Sequence, residues 1–568
     1  MQNGRRFVPV LIVVAALACA FYWGAAPQEE RAVPVSPAPP ATIRRVLLVP
    51  LDSRPPCGRF VQDVARIAGV EVVLPPAELL DEYFRPGDTA ALQTWTMAHI
   101  GSFDAAILSV DQLLHGGLLA SRQAKKTPDD EAALLEFLRA LHAAHPAVPL
   151  HAFSILPRMT PPDGLCDWEE QKKLMRYSRL VGKVSREKSP AAEDLAELDA
   201  LRADLSPDIL LRYEALFANY ADFGERLIRL AEDGVLERLV IGQDDSEPNS
   251  IPNLVFRKLS ETLAKKHIGE ERVFLAQGAD EIALSILAAY EAKREGFAPR
   301  IALQYGDDST PARVLPYMGA TLEATALEKI RMARGVPVAP DAGADFILYL
   351  AANDGTMQTQ RENAAKEVGA LLRENRAVAL VDLSEHLRTD EILLPLLIEK
   401  KAPIQVLTAY AGWNTASNAV GTAVSHSVLL QIAERRMKTE DDAIRVAAAH
   451  LSFLDGRFLE DCFYLKDVVD HINDSLEKCG AQNGRGLEYN YNYPVGSFLL
   501  ETALENRRVR LVDSVAFRAP IEFPSPEGGL RLRVSGLAAS ARFPWPRTFE
   551  IDLRTKVQLE KMYPDEKS

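Results

Sequence analysis

The sequence lacks the short motifs that identify several large enzyme classes. A Walker A loop, a GxGxxG fingerprint after a strand, a GxSxG elbow, an HExxH zinc motif and an EF-hand loop are all missing. Each of these motifs supplies a backbone or ligand geometry that its chemistry requires. Their absence argues against nucleotide hydrolysis, nicotinamide redox chemistry and α/β-hydrolase esterase activity, and no cofactor is expected.

An excess of basic residues is also lacking. The chain has 65 Lys and Arg against 79 Asp and Glu, which gives a formal net charge of −14. A nucleic-acid-binding protein needs a basic face to contact phosphates, so no nucleic-acid partner is expected. The length of 568 residues and the hydrophobic content of 47% predict a globular protein of more than one domain.

Cysteines are few, and none of the five stands in a CxxC pair. A zinc ribbon or a thioredoxin-like site is therefore not expected. Cys462 and Cys479 are close enough in sequence for a local disulfide outside the cytoplasm. Free thiols are the alternative.

The N-terminus predicts export. Arg5 and Arg6 precede an uncharged run from residue 7 to residue 26, as in a signal peptide or a membrane anchor over residues 1–26. Residues 27–43 are rich in proline and predict a semi-rigid extended linker. The folded part is expected outside the cytoplasm, secreted or held to the membrane by the N-terminal segment.

Repeated strand-length apolar runs, each followed by polar residues and a helical stretch, organise most of the chain. They include RVLLVPLD, DAAILSVD, ERLVIGQDD, RVFLAQGAD, DFILYLAAND and AVALVDLS. Unbroken apolar runs are typical of parallel strands buried on both faces. They predict an α/β region over residues 44–440, either barrel-like or built from two consecutive α/β units. Residues 441–504 are expected to form a helical connection.

The chain after residue 505 has a different pattern. The strings RVRLVDSVAF, LRLRVSGLAASARF and RTFEIDLR alternate apolar and polar residues. This alternation predicts a small antiparallel β domain over residues 505–568.

Polar residues follow many of the predicted strands, and parallel α/β folds place their sites at that end. A helix cap explains a single Asp there, but an Asp pair exceeds what a cap needs. A second nearby carboxylate raises the pKa of its partner, which suits a general acid. Asp244 and Asp245 are therefore predicted to be catalytic. The predicted substrate-binding residues are Asp52, Arg54, Asp111, Arg158, Asp280, Glu281, Trp413, Asn414, Asn418 and Asn492.

Individual roles follow from side-chain chemistry. Trp413 would stack on a sugar face, unless it belongs to the core. Asn414 and Asn418 would bind hydroxyls or an amide, unless they cap the next helix. Arg54 and Arg158 would bind a carboxylate or phosphate through the guanidinium fork, and salt bridges to acids are the alternative.

Two other functions fit the same sequence. The acids Asp52, Asp244, Asp307 and Asp354 would serve as oxygen ligands of Mg²⁺ or Ca²⁺ in a metal-dependent hydrolase. The chain would otherwise be a cell-surface protein that binds a carbohydrate or another solute without turnover. Sensitivity to EDTA would favour the first, and stabilisation by sugars without product would favour the second.

The strings LLVPLDSRP, SVDQLLHGGLLASR, GQDDSEP, GADEIAL, YGDD, AANDG and AGWNTASNAVGTA occur in this order along the chain. Together they resemble the bacterial domain-of-unknown-function 4127 family over about residues 44 to 553. That resemblance implies no particular activity.

A more limited resemblance is to retaining β-N-acetylhexosaminidases. It rests on Asp244-Asp245 and on the string Asn492-Tyr493-Pro494-Val495. It implies that Asp244 orients a substrate acetamide, which acts as the nucleophile, and that Asp245 is the acid and base. The function expected overall is an exported glycoside-hydrolase-like enzyme acting on a glycan or amino sugar through paired carboxylates.

Overall fold

The computed structural model describes residues 31–36, 44–123, 126–162, 164–479 and 485–563. The segment 1–26, which we expect to be a signal peptide or an anchor, lies outside these ranges. Within the described ranges, no helix combines the length and the apolar character needed to cross a bilayer.

The predicted α/β class with parallel strands is confirmed, and the parallel strands form two consecutive units. Strand β1 (Arg31–Val35) belongs to a third sheet described below. The first unit has six parallel strands: β2 (Arg44–Val49), β3 (Val70–Val73), β4 (Ala105–Ser109), β5 (Leu150–Leu156), β6 (Arg238–Gln243) and β7 (Val273–Gln277). Their order across the sheet is β3-β2-β4-β5-β6-β7.

The second unit has five parallel strands: β8 (Arg300–Tyr305), β9 (Val336–Val338), β10 (Phe346–Asn353), β11 (Val378–Ser384) and β12 (Ala409–Ala411). Their order is β12-β11-β10-β8-β9. In both units the first strand therefore lies between the second and the third. This doubly wound arrangement opens a crevice at the carboxyl ends of the strands, beside the first strand.

Burial on both faces explains the apolar runs. All seven residues of β5 and all eight of β10 are buried. Helices cover the two parallel sheets, as the predicted alternation of strands and helices requires. The helix Pro207–Glu232 ends just before Gly234, whose φ of +77° suits the residue that follows a helix.

The helices of the first unit are α1 (Arg59–Ile67), α2 (Thr89–His99), α3 (Val110–His115), α4 (Leu118–Ser121), α5 (Pro128–Ala144), α6 (Trp168–Val184), α7 (Ala192–Asp204), α8 (Pro207–Glu232), α9 (Ile251–Lys266) and α10 (Ile282–Arg294). Those that follow are α11 (Leu322–Met332), α12 (Gln358–Arg373), α13 (Leu394–Glu399), α14 (Ala416–Arg436), α15 (Glu440–Arg457), a π-helical segment (Phe458–Val468), α16 (Val469–Lys478), α17 (Tyr493–Asp513) and α18 (Val515–Arg518). The predicted helical connection over residues 441–504 is helical in most of its described part.

The C-terminal antiparallel sheet contains β13 (Ile521–Phe523), β14 (Leu530–Arg542) and β15 (Asp552–Tyr563), with β1 along its edge. Strand β1 lies within the stretch that we expected to be a linker. It pairs antiparallel with β15, and its Pro34 is tolerated because β1 is an edge strand.

The string RVRLVDSVAF differs from its predicted strand. It forms the end of α17 and the short helix α18. Buried Leu500, Leu504 and Leu511 of α17 recur at helical rather than strand spacing. The local alternation is therefore overridden by a helix that begins well before it, and residue 505 falls inside α17.

The four cysteines of the described ranges are all free thiols, so Cys462 and Cys479 are not bridged. Cys462 is buried in the π-helical segment, whereas Cys479 is exposed at the end of α16.

Candidate active site

A cavity opens where the carboxyl ends of the two parallel sheets approach each other and the β14–β15 loop. The empty space in it, including its mouth, is about 780 Å³. The lining residues from the first unit are Arg54, Arg122, Arg158, Gln243, Asp244, Asp245, Gln277 and Asp280. The second unit contributes Tyr317, Asn414 and Asn418, and the β14–β15 loop contributes Trp545 and Arg547. The cavity thus combines residues from almost the whole described chain.

The acidic doublet after β6 lies in this cavity. Arg122 forms an ion pair with Asp244, and the backbone N–H of Asp245 donates to Asp244 Oδ1 over 2.9 Å. Burial alone would raise the pKa of Asp244, but the charges of Arg122 and Arg158 hold it below its ordinary value. Asp244 is therefore ionised at neutral pH.

Asp245 has the opposite electrostatics. Burial, and then the negative charge of Asp244, raise its pKa to about 7, against the opposing effect of the arginines. Within the described part of the chain, its carboxylate has no hydrogen bond. The two adjacent carboxyls therefore differ in protonation near neutral pH. Such a difference in pKa identifies one carboxyl as the acid and the other as the anion.

A second charged group lies beside the doublet. Arg54 Nη2 donates to Asp52 Oδ2 and to Asp280 Oδ1, each over 2.6 Å. Burial raises the pKa of Asp280, with Arg54 opposing. Asp280 faces the cavity, whereas Asp52 lies behind it and orients Arg54.

These side chains bear on the predicted metal site. In the described ranges, one group of three has metal-ligand spacing, namely Asp52, Cys57 and Asp280. The guanidinium of Arg54 bridges its two carboxylates and already supplies a positive charge there. This group is better explained as a buried ion-pair cluster.

The other predicted metal ligands are used locally. Asp307 accepts from the Ser309 N–H over 2.7 Å, and Asp354 accepts from the Thr356 N–H over 2.9 Å. Both cap turns after strands of the second unit and do not line the cavity. The predicted set of Asp52, Asp244, Asp307 and Asp354 is therefore not brought together.

Besides Asp52, two more of the predicted substrate-binding acids are structural and do not line the cavity. Asp111 Oδ2 accepts the Ile155 N–H over 2.8 Å, its Oδ1 accepts the Tyr220 hydroxyl over 3.1 Å, and burial raises its pKa to about 7. Glu281 forms a fully buried ion pair of 2.6 Å with Lys329. Neither side chain lines the cavity.

Trp413 and Asn492 also lie outside the cavity. The Trp413 ring is buried, with its centroid 6.4 Å from the rings of Phe60 and Phe549. Asn492 Oδ1 accepts the Glu488 N–H over 2.6 Å at the start of α17. The core interpretation therefore holds for Trp413, whereas Asn492 makes a local contact with the backbone that precedes α17. The hexosaminidase-like string at 492–495 does not line the cavity that contains the acidic doublet.

Other aromatic residues line the cavity instead. Trp545 is anchored by donating to Ser53 Oγ over 2.9 Å, and the Arg54 guanidinium lies 5.2 Å from its ring. Phe84 and Tyr317 are exposed at the lining, with 49% and 61% of their surfaces accessible. These residues stand in loops with no strand-end signal, so they could not be predicted from the sequence.

Amide side chains complete the cavity wall. Asn414 and Asn418 are there as predicted, and Asn414 adopts a left-handed backbone with φ of +55°. Gln243 and Gln277, which were not among the predicted site residues, end the neighbouring strands β6 and β7. The shared strand-end pattern of Gln followed closely by Asp, in GQDD and AQGAD, was the available signal.

Comparison with known proteins gives one match over nearly the whole chain. The family model described as "Protein of unknown function (DUF4127)" matches residues 46–554. The chain belongs to this family. The expected resemblance to DUF4127 is thereby confirmed, and membership assigns no activity. A search of curated proteins found no match.

One solved structure aligned to this DUF4127 chain is "Endo-fucoidan hydrolase MfFcnA4 from glycoside hydrolase family 107". The identity is 10% and the TM-score is 0.19, with 92% of this chain and 63% of that chain covered. This chain therefore spans less than two thirds of that enzyme. Similarity at this level carries no argument about fold or activity.

Proposed function

We propose that this DUF4127 protein is an exported glycoside-hydrolase-like enzyme in which Asp245 is the general acid and Asp244 is its ionised partner. One observation carries the proposal. Asp244 is paired with Arg122, while its neighbour Asp245 faces the same cavity and forms no ion pair within the described ranges. A protonated acid next to a carboxylate is what cleavage of a glycosidic bond requires.

The cavity lining supports a glycan or amino sugar as substrate. Trp545, Tyr317 and Phe84 offer flat apolar surfaces for the C–H face of a sugar ring. Gln243, Asn414 and Asn418 offer donors and acceptors for hydroxyl or acetamide groups. A concave site with mixed aromatic and convergent polar residues is typical of small-ligand sites.

The chemistry assigns one task to each carboxyl. Asp245 gives its proton to the leaving glycosidic oxygen as the C–O bond breaks. Positive charge then develops at the anomeric carbon, and the carboxylate of Asp244 stabilises it, either directly or by orienting a substrate acetamide. Water adds to the anomeric carbon and returns a proton to Asp245, which restores the site.

Export remains part of the proposal, and residues 1–26 are its basis. An enzyme with this leader acts on glycans outside the cytoplasm, either released or anchored. Fusing residues 1–43 to a reporter that is active only after export tests this part separately, and a reporter that stays in the cytoplasm would contradict it.

The activity test is turnover of a panel of 4-methylumbelliferyl glycosides, including glucosides, galactosides and N-acetylglucosaminides. Asp245→Asn should abolish turnover of any substrate that the protein cleaves while leaving its circular dichroism unchanged. Asp308→Asn is the matched control, because Asp308 ends a second Asp-Asp doublet and does not line the cavity. An unchanged rate in Asp245→Asn, or an equal loss in the control, would reject the assignment.

A further inference from the structure

We infer that Gln243 and Asn418 form a subsite that binds an uncharged, hydroxyl-bearing or N–H-bearing group of the substrate. The inference rests on the proposed function only for the statement that the bound sugar is then cleaved; the binding itself is argued separately. The new element is that the part of the sugar in contact with these two amides carries no charge.

Gln243 is the first observation. Its side chain is only 1% exposed and lines the cavity, and neither its Oε1 nor its Nε2 has a hydrogen-bond partner in the described ranges. A buried amide without hydrogen-bond partners is unfavourable, so a polar group of the bound ligand is expected to form hydrogen bonds with the Gln243 amide.

Asn418 supplies the second observation. Its Nδ2 donates to Asp280 Oδ2 over 3.4 Å, while its Oδ1 is buried without a partner in the described chain. The carboxylate of Asp280 fixes this orientation, because a flipped amide would turn an oxygen toward it. The open atom of Asn418 is therefore an acceptor.

The atoms of Gln243 and Asn418 that have no hydrogen-bond partner in the described ranges determine which ligand fits. Two carbonyl oxygens need hydrogen-bond donors, and one NH₂ group needs an acceptor. A sugar hydroxyl is both donor and acceptor, and an acetamide offers one of each, so either can satisfy the set. A carboxylate, sulfate or phosphate has no donor for the two oxygens, so it would leave them unsatisfied.

The arginines of the cavity do not change this conclusion. Of the four arginines that line the cavity in the described ranges, Arg54 is bound by Asp52 and Asp280, Arg122 by Asp244, and Arg547 by Glu550. The positive charge of these three is offset by carboxylates in direct contact. The fourth, Arg158, acts on the acidic doublet, where its charge lowers the pKa of Asp244 and of Asp245. An added anion would also face the negative charge of Asp244, so the cavity favours a neutral ring.

The loop after β8 keeps the subsite open. A Cβ added at Gly319 would lie 2.8 Å from Gln243 Oε1 and 2.7 Å from Gln277 Oε1. Glycine therefore lets this backbone pass close to both amides without displacing them. Gly319→Ala offers a way to disturb the subsite without removing either amide.

The test is titration calorimetry of the full-length protein with N-acetylglucosamine, glucose, galactose and glucuronate. A neutral sugar should bind the wild type more tightly than glucuronate does. Gln243→Met should weaken that neutral sugar by about 10- to 100-fold, as expected when a buried polar contact is lost. The same variant should melt at or above the wild-type temperature, because it removes an unsatisfied amide. Gly319→Ala should also weaken binding.

Gln112→Met is the matched control. Gln112 is equally buried, and neither of its amide atoms has a hydrogen-bond partner among the described residues. It does not line the cavity, so its loss should leave sugar affinity unchanged. Unchanged affinity in Gln243→Met, a drop in its melting temperature alone, preference for glucuronate, or no binding of any neutral sugar would overturn the inference. If binding behaves as expected but no glycoside is cleaved, the subsite stands and the proposed activity fails.

Discussion

Replacing Arg122 by methionine should redistribute the proton between Asp244 and Asp245. Arg122 and Asp244 are in direct ion-pair contact, and both side chains are about 9% exposed. At contact distance and an effective dielectric constant of about 20, such a pair is worth about 4 kcal/mol. Loss of this interaction should therefore raise the pKa of Asp244 toward that of Asp245.

The consequence is a loss of the division between acid and anion. In the wild type, the pKa of Asp245 is about 7 and that of Asp244 is below its ordinary value. In Arg122→Met the two pKa values converge, so one proton is shared by the pair. Asp245 then no longer holds the proton by itself, and kcat/KM should fall by about 100- to 10,000-fold, the usual contribution of a positioned acid.

The assay is the pH dependence of kcat/KM on the best substrate of the glycoside panel. The wild type should be active below about pH 7 and lose activity as the pH rises through the pKa of Asp245, because the acid must carry its proton. In Arg122→Met, the loss of activity with rising pH should no longer occur near the wild-type pKa of Asp245. Arg122→Lys keeps the charge but not the fork, so its profile should lie between the two.

Folding must be controlled, because an unpaired buried carboxylate destabilises a protein by about 3 to 5 kcal/mol. Circular dichroism of each variant at the assay pH provides that control. A folded Arg122→Met variant with the wild-type rate and the wild-type alkaline limb would refute the electrostatic argument.

Two further predictions concern stability. Asp81 is buried next to Asp52, and burial, followed by the negative charge of Asp52, raises the pKa of Asp81 to about 8. The contribution of Asp81 to stability is therefore complete below its pKa in the unfolded chain. It is lost as the pH rises through about 8. Asp81→Asn should therefore flatten the fall in melting temperature between about pH 5 and pH 9, and a fall as steep as that of the wild type would contradict the argument. Trp413→Ala should destabilise the protein by about 3 to 5 kcal/mol in urea titrations, because removing a ring that packs against Phe60 and Phe549 leaves a cavity. A destabilisation below about 1 kcal/mol, which is typical of a surface substitution, would contradict burial of Trp413 in the core.

The strands could be predicted from the sequence because burial on both faces leaves a clear apolar run. The strand ends could be predicted in the same way, and with them Arg54, Asp244, Asp245, Asp280 and the two asparagines after β12. The winding of the sheets could not be predicted, because the order of parallel strands depends on which crossovers pack together. The alternating string at the end of α17 was wrongly predicted to be a strand, since three or four residues of alternation also fit a helix.

The direction of each strand-end side chain was beyond the sequence. Asp111 and Asp244 come just after strands β4 and β6 of the first sheet and look alike in sequence. Asp111 turns to the Ile155 N–H and the Tyr220 hydroxyl, whereas Asp244 meets an arginine at the cavity. That difference is decided by contacts between residues more than forty positions apart. The place of Trp545 depends on the β14–β15 loop reaching Ser53, a contact across 492 positions.

The wide span of the cavity lining has a consequence for biosynthesis. Its residues run from Arg54, near the start of the first sheet, to Arg547, which precedes the last strand. A nascent chain that has not yet released its final hairpin from the ribosome holds every carboxyl of the site but lacks the wall made by Trp545 and Arg547. Binding competence is therefore acquired only after the β14–β15 hairpin has emerged, and a chain truncated directly after β14 should fold its parallel sheets yet remain inert.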